Sequence, residues 1–408
     1  MRILLVNKFI FPKGGAETYT FDVGKMLEEH GHEVQYFGLE NEKNTVGNRI
    51  GSYVTNMDFS QGIKANLNAP FRIIYSREAH KKIRAVLDDF QPDVVHLNNI
   101  QYHLTPSIIL EINKWRKETK KECKIVYTTH DYQLVCPSHG MFDVNMKPCE
   151  LCLDGHYIHC FQTKCLKNSR AKSLLGTLDG YMWKYSKAYS YVDAYICCSF
   201  FLKSKLDTQK RFRDKTIGLH NFKKEMPHLD NIQKKGYVLE FGHLSRDKGT
   251  DTLLEVAKKM HNTEFVFIGY GPSADKMKDI PNVKYLGFKT GEELYRIIAE
   301  AAISVCPSEW YENCPYSVME SVLLGTPVVG SKMGGIPELI EPGKTGELFE
   351  AGNVEDLMKA IKKVLQTQDV LERYTKNCSQ VKYETTESYY IKLMKIYRGE
   401  KNVEQISS

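Results

Sequence analysis

The segment from Pro307 to Glu341 constrains the fold most, because strand, helix and glycine-loop signals alternate along it. Residues 301–306 form an apolar run that ends at a proline, which suits a buried strand. Pro315 suits the first position of a helix, because its missing N–H would be unpaired there anyway. Gly325 then closes this helix, and the apolar run 326–330 predicts a second strand. The segment therefore predicts a βαβ unit with a parallel sheet.

Two glycines, Gly334 and Gly335, follow the second strand and precede Pro337, which again marks a helix start. The segment therefore predicts two helix N-termini, each just after a parallel strand. Free N–H groups and the positive dipole end of such a terminus can hold a phosphate. Glycines let the backbone approach that anion without an intervening side chain.

Two carboxylates flank the first helix start. Glu312 lies in the loop before the helix, and Glu320 lies inside the helix. A carboxylate beside a phosphate site is electrostatically unfavourable, so these side chains need another task. An ionised carboxylate only accepts hydrogen bonds, and sugar hydroxyl groups are suitable donors.

This pattern resembles the retaining nucleotide-sugar glycosyltransferases of family GT4. Their motif is Glu, seven residues, Glu, then Gly-x-Pro-Val-Val and Gly-Gly-x-Pro-Glu, which correspond here to Glu312, Glu320, residues 325–329 and residues 334–338. The alternative is an ordinary strand-helix-strand unit with two surface glutamates. The resemblance covers nearly the whole chain and implies a GT-B fold. That fold is α/β, with two Rossmann-like, doubly wound parallel-sheet domains facing a central cleft.

The resemblance also implies the reaction. The expected enzyme moves a sugar from a nucleotide-diphosphate sugar to a saccharide acceptor, with retention at the anomeric carbon and without a catalytic metal or other cofactor. We expect UDP rather than GDP as the carrier and a lipid-linked acceptor in bacterial surface-polysaccharide synthesis. The alternatives are a nucleotide-sugar epimerase on the same scaffold and a non-catalytic subunit that binds the nucleotide sugar.

The loop GHLSRDKG, residues 242–249, matches the family's Gly-Arg-Leu, three residues, Lys-Gly. Lys248 is the expected partner of the pyrophosphate, and His243 stands where the family has Arg. Arg246, three residues further on, can supply the missing charge, or His243 can bind phosphate when protonated. The resemblance assigns the remaining donor contacts to Gly271, Phe288, Asn313, Cys314, Pro315, Tyr316, Ser317, Gly334 and Gly335, with Glu312 on the sugar and Glu320 on the ribose.

Two positions in the first half belong to the same resemblance. Gly14 and Gly15 follow the first predicted strand, and in the family this loop closes over the donor phosphate and the acceptor; a tight strand-to-helix turn is the alternative. The strand 124–129 ends at His130, the expected contact to the donor sugar and the reacting region. Asp131 is its expected orienting partner or an acceptor contact.

The segment from Cys136 to Cys165 departs from the general family pattern, because it holds five cysteines and three histidines. Cys149 and Cys152 have zinc-knuckle spacing, and Cys160 and Cys165 could complete a tetrahedral structural zinc site. The alternative is a set of buried free thiols, since the spacing of the later cysteines is irregular.

Length and charge narrow the remaining possibilities. A chain of 408 residues predicts two domains, which we place at 1–218 and 219–385, with a last helix in 386–408 that returns to the first domain. The net charge of +6 is mild, and no nucleic-acid motif is present. No apolar run reaches membrane-spanning length, and the N-terminal run lacks a cleavage site. We therefore expect a cytoplasmic protein that binds no nucleic acid.

Residues 72–90 predict a basic amphipathic helix. Such a helix could lie on the inner face of an anionic membrane, or it could be a core helix with a solvated basic face. We also expect single helices over 171–190 and 200–213, a linker over 222–235, loops around a short helix over 40–70, and a frayed tail after residue 400.

Overall fold

The computed structural model describes residues 1–56 and 69–400 of the chain. It divides into two compact units, which are residues 1–221 together with the C-terminal segment from Glu387, and Phe222–Thr386. The sequence placed this division after residue 218 and the return to the first domain at residue 386. The expected tail after residue 400, and most of the second half of the loop region 40–70, lie outside the described residues.

The first unit is a parallel six-stranded sheet in the order β2-β1-β3-β4-β5-β6. Its strands are almost continuously buried, as expected for a parallel sheet covered on both faces. In chain order its elements are β1 (Arg2–Val6), α1 (Gly15–Glu29), β2 (Glu33–Phe37), α2 (Ala69–Ile74), α3 (Arg77–Phe90), β3 (Val94–Leu97), α4 (Ser107–Thr119), β4 (Lys124–Thr129), α5 (Ile158–Gln162), α6 (Arg170–Tyr185), β5 (Ala194–Cys197), α7 (Phe200–Leu206), α8 (Lys210–Arg213) and β6 (Thr216–Gly218).

The second unit holds another parallel six-stranded sheet, in the order β12-β11-β10-β7-β8-β9. Its elements are β7 (Val238–His243), α9 (Thr250–Lys259), β8 (Phe265–Tyr270), β9 (Val283–Tyr285), α10 (Gly291–Glu300), β10 (Ile303–Cys306), α11 (Tyr316–Leu323), β11 (Val328–Ser331), β12 (Gly346–Phe349), α12 (Val354–Val364) and α13 (Gln368–Cys378). The last helix, α14 (Thr386–Arg398), belongs to the first unit from Glu387 onward. Two parallel sheets with crossover helices confirm the predicted doubly wound α/β class.

Three helices that the sequence predicted as continuous are interrupted. The helix over 72–90 breaks at Ser76, whose hydroxyl accepts a hydrogen bond from the Ala79 amide and caps α3. The helix over 171–190 ends at Tyr185, because Lys187 adopts a left-handed conformation with φ of 59°. The helix over 200–213 becomes α7 and α8, because Gln209 between them is extended.

The predicted helix after Gly335 is only a 3₁₀ turn, Ile336–Glu338. The side chains of Ile336 and Ile340 are buried against Gly330, where an added Cβ would meet both of them. This packing pulls the chain back onto the sheet, and β12 follows at Gly346. The second of the two predicted long helix N-termini is therefore not formed.

Helix α14 is joined to the sheet of the first unit by a buried polar network. The Tyr389 hydroxyl lies 2.7 Å from that of Tyr19, and the Tyr397 hydroxyl lies 2.7 Å from His96 Nδ1. Thr128 Oγ1 connects the two arms, at 3.0 Å from the Tyr19 hydroxyl and 2.7 Å from His96 Nε2. Buried polar groups that are all paired in this way fix one position of the helix. Within the ranges described, none of the helices has the length and apolarity needed to cross a bilayer.

Candidate functional site

The loop after β7 presents Lys248 at the carboxyl edge of the second sheet. The Ser245 carbonyl accepts hydrogen bonds from the amides of Lys248 and Thr250, and the Arg246 carbonyl accepts one from Gly249. Gly249 has φ of 76°, and an added Cβ would lie 1.9 Å from the Pro307 carbonyl oxygen. Only glycine fits this close approach, so the turn is tight and α9 begins directly after it.

Lys248 and Glu312 form an ion pair, because β7 and β10 are neighbours and both residues follow the carboxyl ends of these strands. Lys248 Nζ lies 2.6 Å from Glu312 Oε1, and the Ser308 hydroxyl donates to the same oxygen at 3.2 Å. Burial acts to lower the pKa of Lys248, but the charge of Glu312 and its hydrogen bond outweigh it and raise that pKa. The half-buried ammonium group therefore stays charged.

The glycine pair after β11 packs on the backbone of Glu312. The Gly335 amide donates to the Glu312 carbonyl at 2.6 Å. Gly334 has φ of 62°, and an added Cβ would lie 1.9 Å from that same carbonyl oxygen. The glycine pair and the loop that carries Glu312, which are two parts of the sequence motif, thus hold each other in place. The Gly335 amide, which the sequence assigned to phosphate, is already used by protein.

Helix α11 begins after Pro315, which is its N-cap residue rather than its first helical residue. Glu320 lies one turn inside, and its Oε1 accepts a hydrogen bond from Lys223 Nζ at 2.5 Å. Both side chains are largely shielded from solvent. Lys223 lies in the stretch that the sequence assigned to a linker, so this partner of Glu320 was missed.

Three exposed aromatic rings lie in a row beside this loop. The His243 ring centroid is 5.4 Å from that of Tyr270, which is 5.8 Å from that of Phe288. Gly271, next to Tyr270, has φ of 153°, and an added Cβ would lie 2.1 Å from the Leu244 carbonyl oxygen. The structure therefore brings His243, Gly271 and Phe288 together as predicted donor residues and adds Tyr270 to them. Arg246 is exposed at the same edge.

In the first unit, His130 lies at the end of β4 and is oriented by a residue that the sequence did not indicate. Its Nε2 is 2.9 Å from Asn98 Oδ1, which accepts the hydrogen bond, and its ring packs edge-on against Tyr19 at 4.9 Å. Burial lowers the pKa of His130 to about 4, so the imidazole is neutral near pH 7. With the proton on Nε2, Nδ1 carries the lone pair.

Asp131, the expected orienting partner, is engaged elsewhere. Its Oδ1 accepts from the Gln133 amide at 2.9 Å, and its Oδ2 lies 3.6 Å from His139 Nδ1.

Gly14 and Gly15 are exposed, and Gly14 caps α1 with an extended backbone. Glu17, in the first turn of α1, is buried and accepts from Asn7 Nδ2 at 3.1 Å. The first turn of α1 is thus held by the side chain of Asn7, which follows β1.

The cysteines of the 136–165 segment surround one small cavity. Cys136, Cys149, Cys152, Cys160 and Cys165 all line it, and none of the eleven cysteines, which all lie within the described ranges, forms a disulfide. The sulfur atoms of Cys160 and Cys165 are 2.8 Å apart, whereas two thiolates on one tetrahedral zinc are separated by about 3.8 Å. In the described ranges, no three His, Cys, Asp or Glu side chains are arranged to hold a metal ion. The zinc site stays a prediction, which metal analysis of the purified protein would test.

The thiol pair itself has unequal acidity. The hydrogen bond from Cys160 stabilises the thiolate of Cys165, the more exposed of the two, and lowers its pKa to about 7. The same contact, together with burial, raises the pKa of Cys160. Cys165 is therefore the more acidic thiol of this pair.

Comparison with protein families gives two matches that together span nearly the whole chain. The family described as "Glycosyltransferase Family 4" matches residues 13–221. The family described as "Glycosyl transferases group 1" matches residues 221–381. The boundary between the two matches coincides with the boundary between the structural units.

Two curated relatives are a protein from a cps region and a glycosyltransferase of amylovoran biosynthesis. An uncharacterized 42.6 kDa protein in the cps region of Klebsiella pneumoniae is 25% identical over 361 residues, which cover 83% of this chain and 87% of that protein. The amylovoran biosynthesis glycosyltransferase AmsK of Erwinia amylovora is 30% identical over 166 residues, which cover 37% of this chain and 41% of AmsK.

Among solved structures, Anabaena HepE in complex with UDP has a TM-score of 0.67 at 16% identity, with 98% of this chain and 100% of that chain covered. HepE in complex with UDP-glucose has a TM-score of 0.62 at 16% identity, with 93% and 94% covered. At this level of identity the likeness shows a shared fold.

Proposed function

Because this chain belongs to Glycosyltransferase Family 4, we propose that it transfers a sugar from a nucleotide-diphosphate sugar to a saccharide acceptor with retention of anomeric configuration. The observation that carries the proposal is the ion pair between Lys248 and Glu312 at the carboxyl edge of the second sheet. A fixed cation beside a fixed carboxylate suits a ligand that joins a diphosphate to a polyhydroxylated ring.

The diphosphate is held by cationic side chains. Lys248 stays charged and half-buried, and Arg246, two positions before it, is exposed. Negative charge grows on the leaving diphosphate as the glycosidic bond breaks, and preorganised cations stabilise that charge. They take the part that a divalent metal plays in other transferases, so we expect transfer to continue in the presence of a chelator.

The base lies on the row of rings formed by His243, Tyr270 and Phe288. An exposed aromatic surface stacks a planar base, and Gly271 allows the backbone beside Tyr270 to pack closely on the Leu244 carbonyl. UDP and UDP-glucose are bound in the HepE structures, and on this ground we prefer uridine over guanosine as the nucleoside of the donor. Glu320 accepts from the ribose hydroxyls while Lys223 holds its other side.

The chemistry follows the retaining route of the family. The anomeric carbon loses its bond to the diphosphate oxygen and gains one to the acceptor hydroxyl oxygen, while the acceptor proton passes to the leaving phosphate. Glu312 holds the hydroxyl groups of the donor sugar. His130, kept neutral by burial, contacts the donor sugar and adds no competing positive charge.

The acceptor is a lipid-linked saccharide of a bacterial surface polysaccharide, and the enzyme works at the inner face of the cell membrane. Relatives from a cps region and from amylovoran biosynthesis support this assignment. The two alternative functions, epimerase and binding subunit, differ from a transferase in their substrates and products. An epimerase interconverts nucleotide sugars without a second substrate, and a binding subunit binds the donor but transfers nothing.

The deciding experiment incubates the purified full chain with a panel of UDP- and GDP-sugars, with and without polyprenyl-diphosphate-linked saccharide. Mass spectrometry follows the acceptor, and NMR determines the anomer of the new bond. We expect acceptor-dependent release of UDP and a product with the donor's anomeric configuration. Conversion of the donor to another nucleotide sugar without acceptor, or inversion at the anomeric carbon, would refute the proposal.

A further inference from the structure

Helix α6 exposes an apolar stripe to solvent. Leu174 is 44% exposed, Leu178 50%, Met182 37% and Tyr185 71%. These positions follow helical spacing, so their side chains form one continuous strip along the outer face of the helix. The opposite face is buried through Ser173, Gly176, Thr177 and Trp183. Single exposed leucines are ordinary, but a contiguous stripe of this kind marks an interaction surface.

Basic side chains border both ends of this stripe. Lys167, Arg170 and Lys172 lie at its start, and Lys187 lies beyond its end; all four are exposed. In the part of the chain that the structure describes, none of the four pairs with a carboxylate. Between residues 164 and 187 the sequence has six Lys and Arg residues and one acidic residue, Asp179. Asp179 faces inward and accepts a hydrogen bond from Trp183 Nε1, and burial raises its pKa to about 7.

The helix predicted from the sequence as a possible membrane-binding helix, α3, differs from α6 in the burial of its apolar side chains and the pairing of its cations. Its apolar residues Ile83, Val86 and Leu87 are fully buried. Arg84 is paired with Asp88, Glu111 and Glu118, and Lys82 is paired with Glu78. The face of α3 is therefore mostly neutralised and carries no exposed apolar stripe, which agrees with the core-helix alternative.

We propose that the α6 stripe, with its basic border, docks this enzyme on an anionic lipid bilayer. An apolar strip flanked by unpaired lysine and arginine side chains fits such a surface, because the strip enters the headgroup region while the cations bind lipid phosphates. Charge complementarity selects the bilayer over an uncharged apolar partner. The proposed function, transfer to a lipid-linked acceptor, explains why the enzyme would bind a membrane. The binding itself follows from the exposed stripe and its basic border.

The test is flotation of the full chain with phosphatidylcholine vesicles that contain or lack phosphatidylglycerol, at low and high salt. We expect binding to the anionic vesicles alone, and weaker binding at high salt. Leu178→Asp should weaken the partition coefficient about tenfold, because the aspartate opposes insertion of the stripe. The double variant Arg170→Glu, Lys172→Glu should weaken it by at least about tenfold.

Matched controls separate this surface from others. Ile391→Asp changes an exposed apolar residue on α14, and the double variant Arg77→Glu, Lys81→Glu changes exposed cations on α3. Both should bind vesicles like the parent. Thermal unfolding and UDP binding should be unchanged in all variants, which shows that they fold. Loss of binding in the α3 variant alone, equal binding to neutral vesicles, or a dimer that Leu178→Asp converts to a monomer would each overturn the proposal.

A failure of the proposed reaction would look different. In that case the chain would bind anionic vesicles through α6 but would neither bind nor turn over a nucleotide sugar. The opposite outcome would refute the docking surface alone. In that case the Leu178→Asp variant would transfer sugar to a water-soluble acceptor analogue at the parent rate and would also float with anionic vesicles as well as the parent.

Discussion

Lys223 Nζ lies 2.5 Å from Glu320 Oε1, although the two residues are 97 positions apart in the chain. The lysine also lies 5.3 Å from the ring of Tyr316, at the start of the helix that carries Glu320. A carboxylate can accept several hydrogen bonds, so this lysine can orient Glu320 without preventing a ribose contact through the other oxygen.

We therefore expect Glu320→Gln and Lys223→Met each to raise the Kd for UDP about three- to tenfold, since each removes one charge of the Lys223–Glu320 ion pair. The double variant should bind no more weakly than the worse single variant, because the two residues act together. Isothermal titration calorimetry measures all three. Lys224→Met, at the exposed neighbouring position, is the control and should bind UDP like the parent. Strictly additive losses in the double variant would contradict the orienting role.

Lys248→Met should lower the rate of sugar transfer by about 10²- to 10³-fold, because it removes the cation that stabilises the leaving diphosphate. Glu312 would then lose its partner at 2.6 Å. Glu312→Gln therefore serves as a second variant, which keeps the shape of the glutamate side chain and removes its charge. Stopped assays of UDP release measure the rate. Lys258→Met, on the solvent side of α9, should leave the rate unchanged. Parent-like transfer by Lys248→Met would remove Lys248 from the reaction.

Gly334→Ala should destabilise the second unit by about 1–3 kcal/mol from backbone strain, with a further loss from the clash with the Glu312 carbonyl. Gly343→Ala is a close control, because Gly343 has φ of 78° but no atom within 4 Å of an added Cβ. Chemical denaturation of both variants isolates the contribution of the contact. Equal loss in the two variants would show that the contact with Glu312 adds nothing.

Acidification should destabilise the first unit through His96. Burial lowers the pKa of His96 to about 3, while an exposed histidine has a pKa of about 6.5. Between these values the unfolded chain binds a proton that the native state does not, so stability falls as the pH drops. At pH 5 this loss is about 2 kcal/mol relative to pH 7.

The variant His96→Gln keeps a donor and an acceptor in the network but cannot be protonated, so its stability should depend less on pH between 7 and 5. Thermal melts across this range measure the difference. His228→Gln, at an exposed position, should follow the parent. An unchanged pH dependence in His96→Gln would mean that another group carries it.

Local signals in the sequence were sufficient for most of the strands from β1 to β11 and for the glycine positions, whereas β12 (Gly346–Phe349) was not predicted. Apolar runs ending in Pro or Gly located β10 and β11, and the glycine motif located a backbone that needs positive φ at Gly334. Helix α10 was overlooked, although Leu294, Ile297 and Ile298 have the i, i+3, i+4 spacing of a buried helical face.

Contacts between distant residues could not be predicted in the same way. Nothing near Lys223 indicates Glu320, and nothing near His130 indicates Asn98, which lies 32 positions earlier and is brought to it by pairing of β3 with β4. The predicted helix after Gly335 failed for a related reason. Its start signals are correct, but the buried contacts of Ile336 and Ile340 on Gly330 override them.

The hydroxyl group of Tyr19 meets that of Tyr389, a residue 370 positions later. A ribosome must therefore synthesise the whole second sheet before the first can complete its polar interior. Until then the Tyr19 hydroxyl and the His96 imidazole of the nascent first unit lack their final partners, which are Tyr389 and Tyr397 of α14. Maturation of the amino-terminal half is thus timed by translation of the last helix.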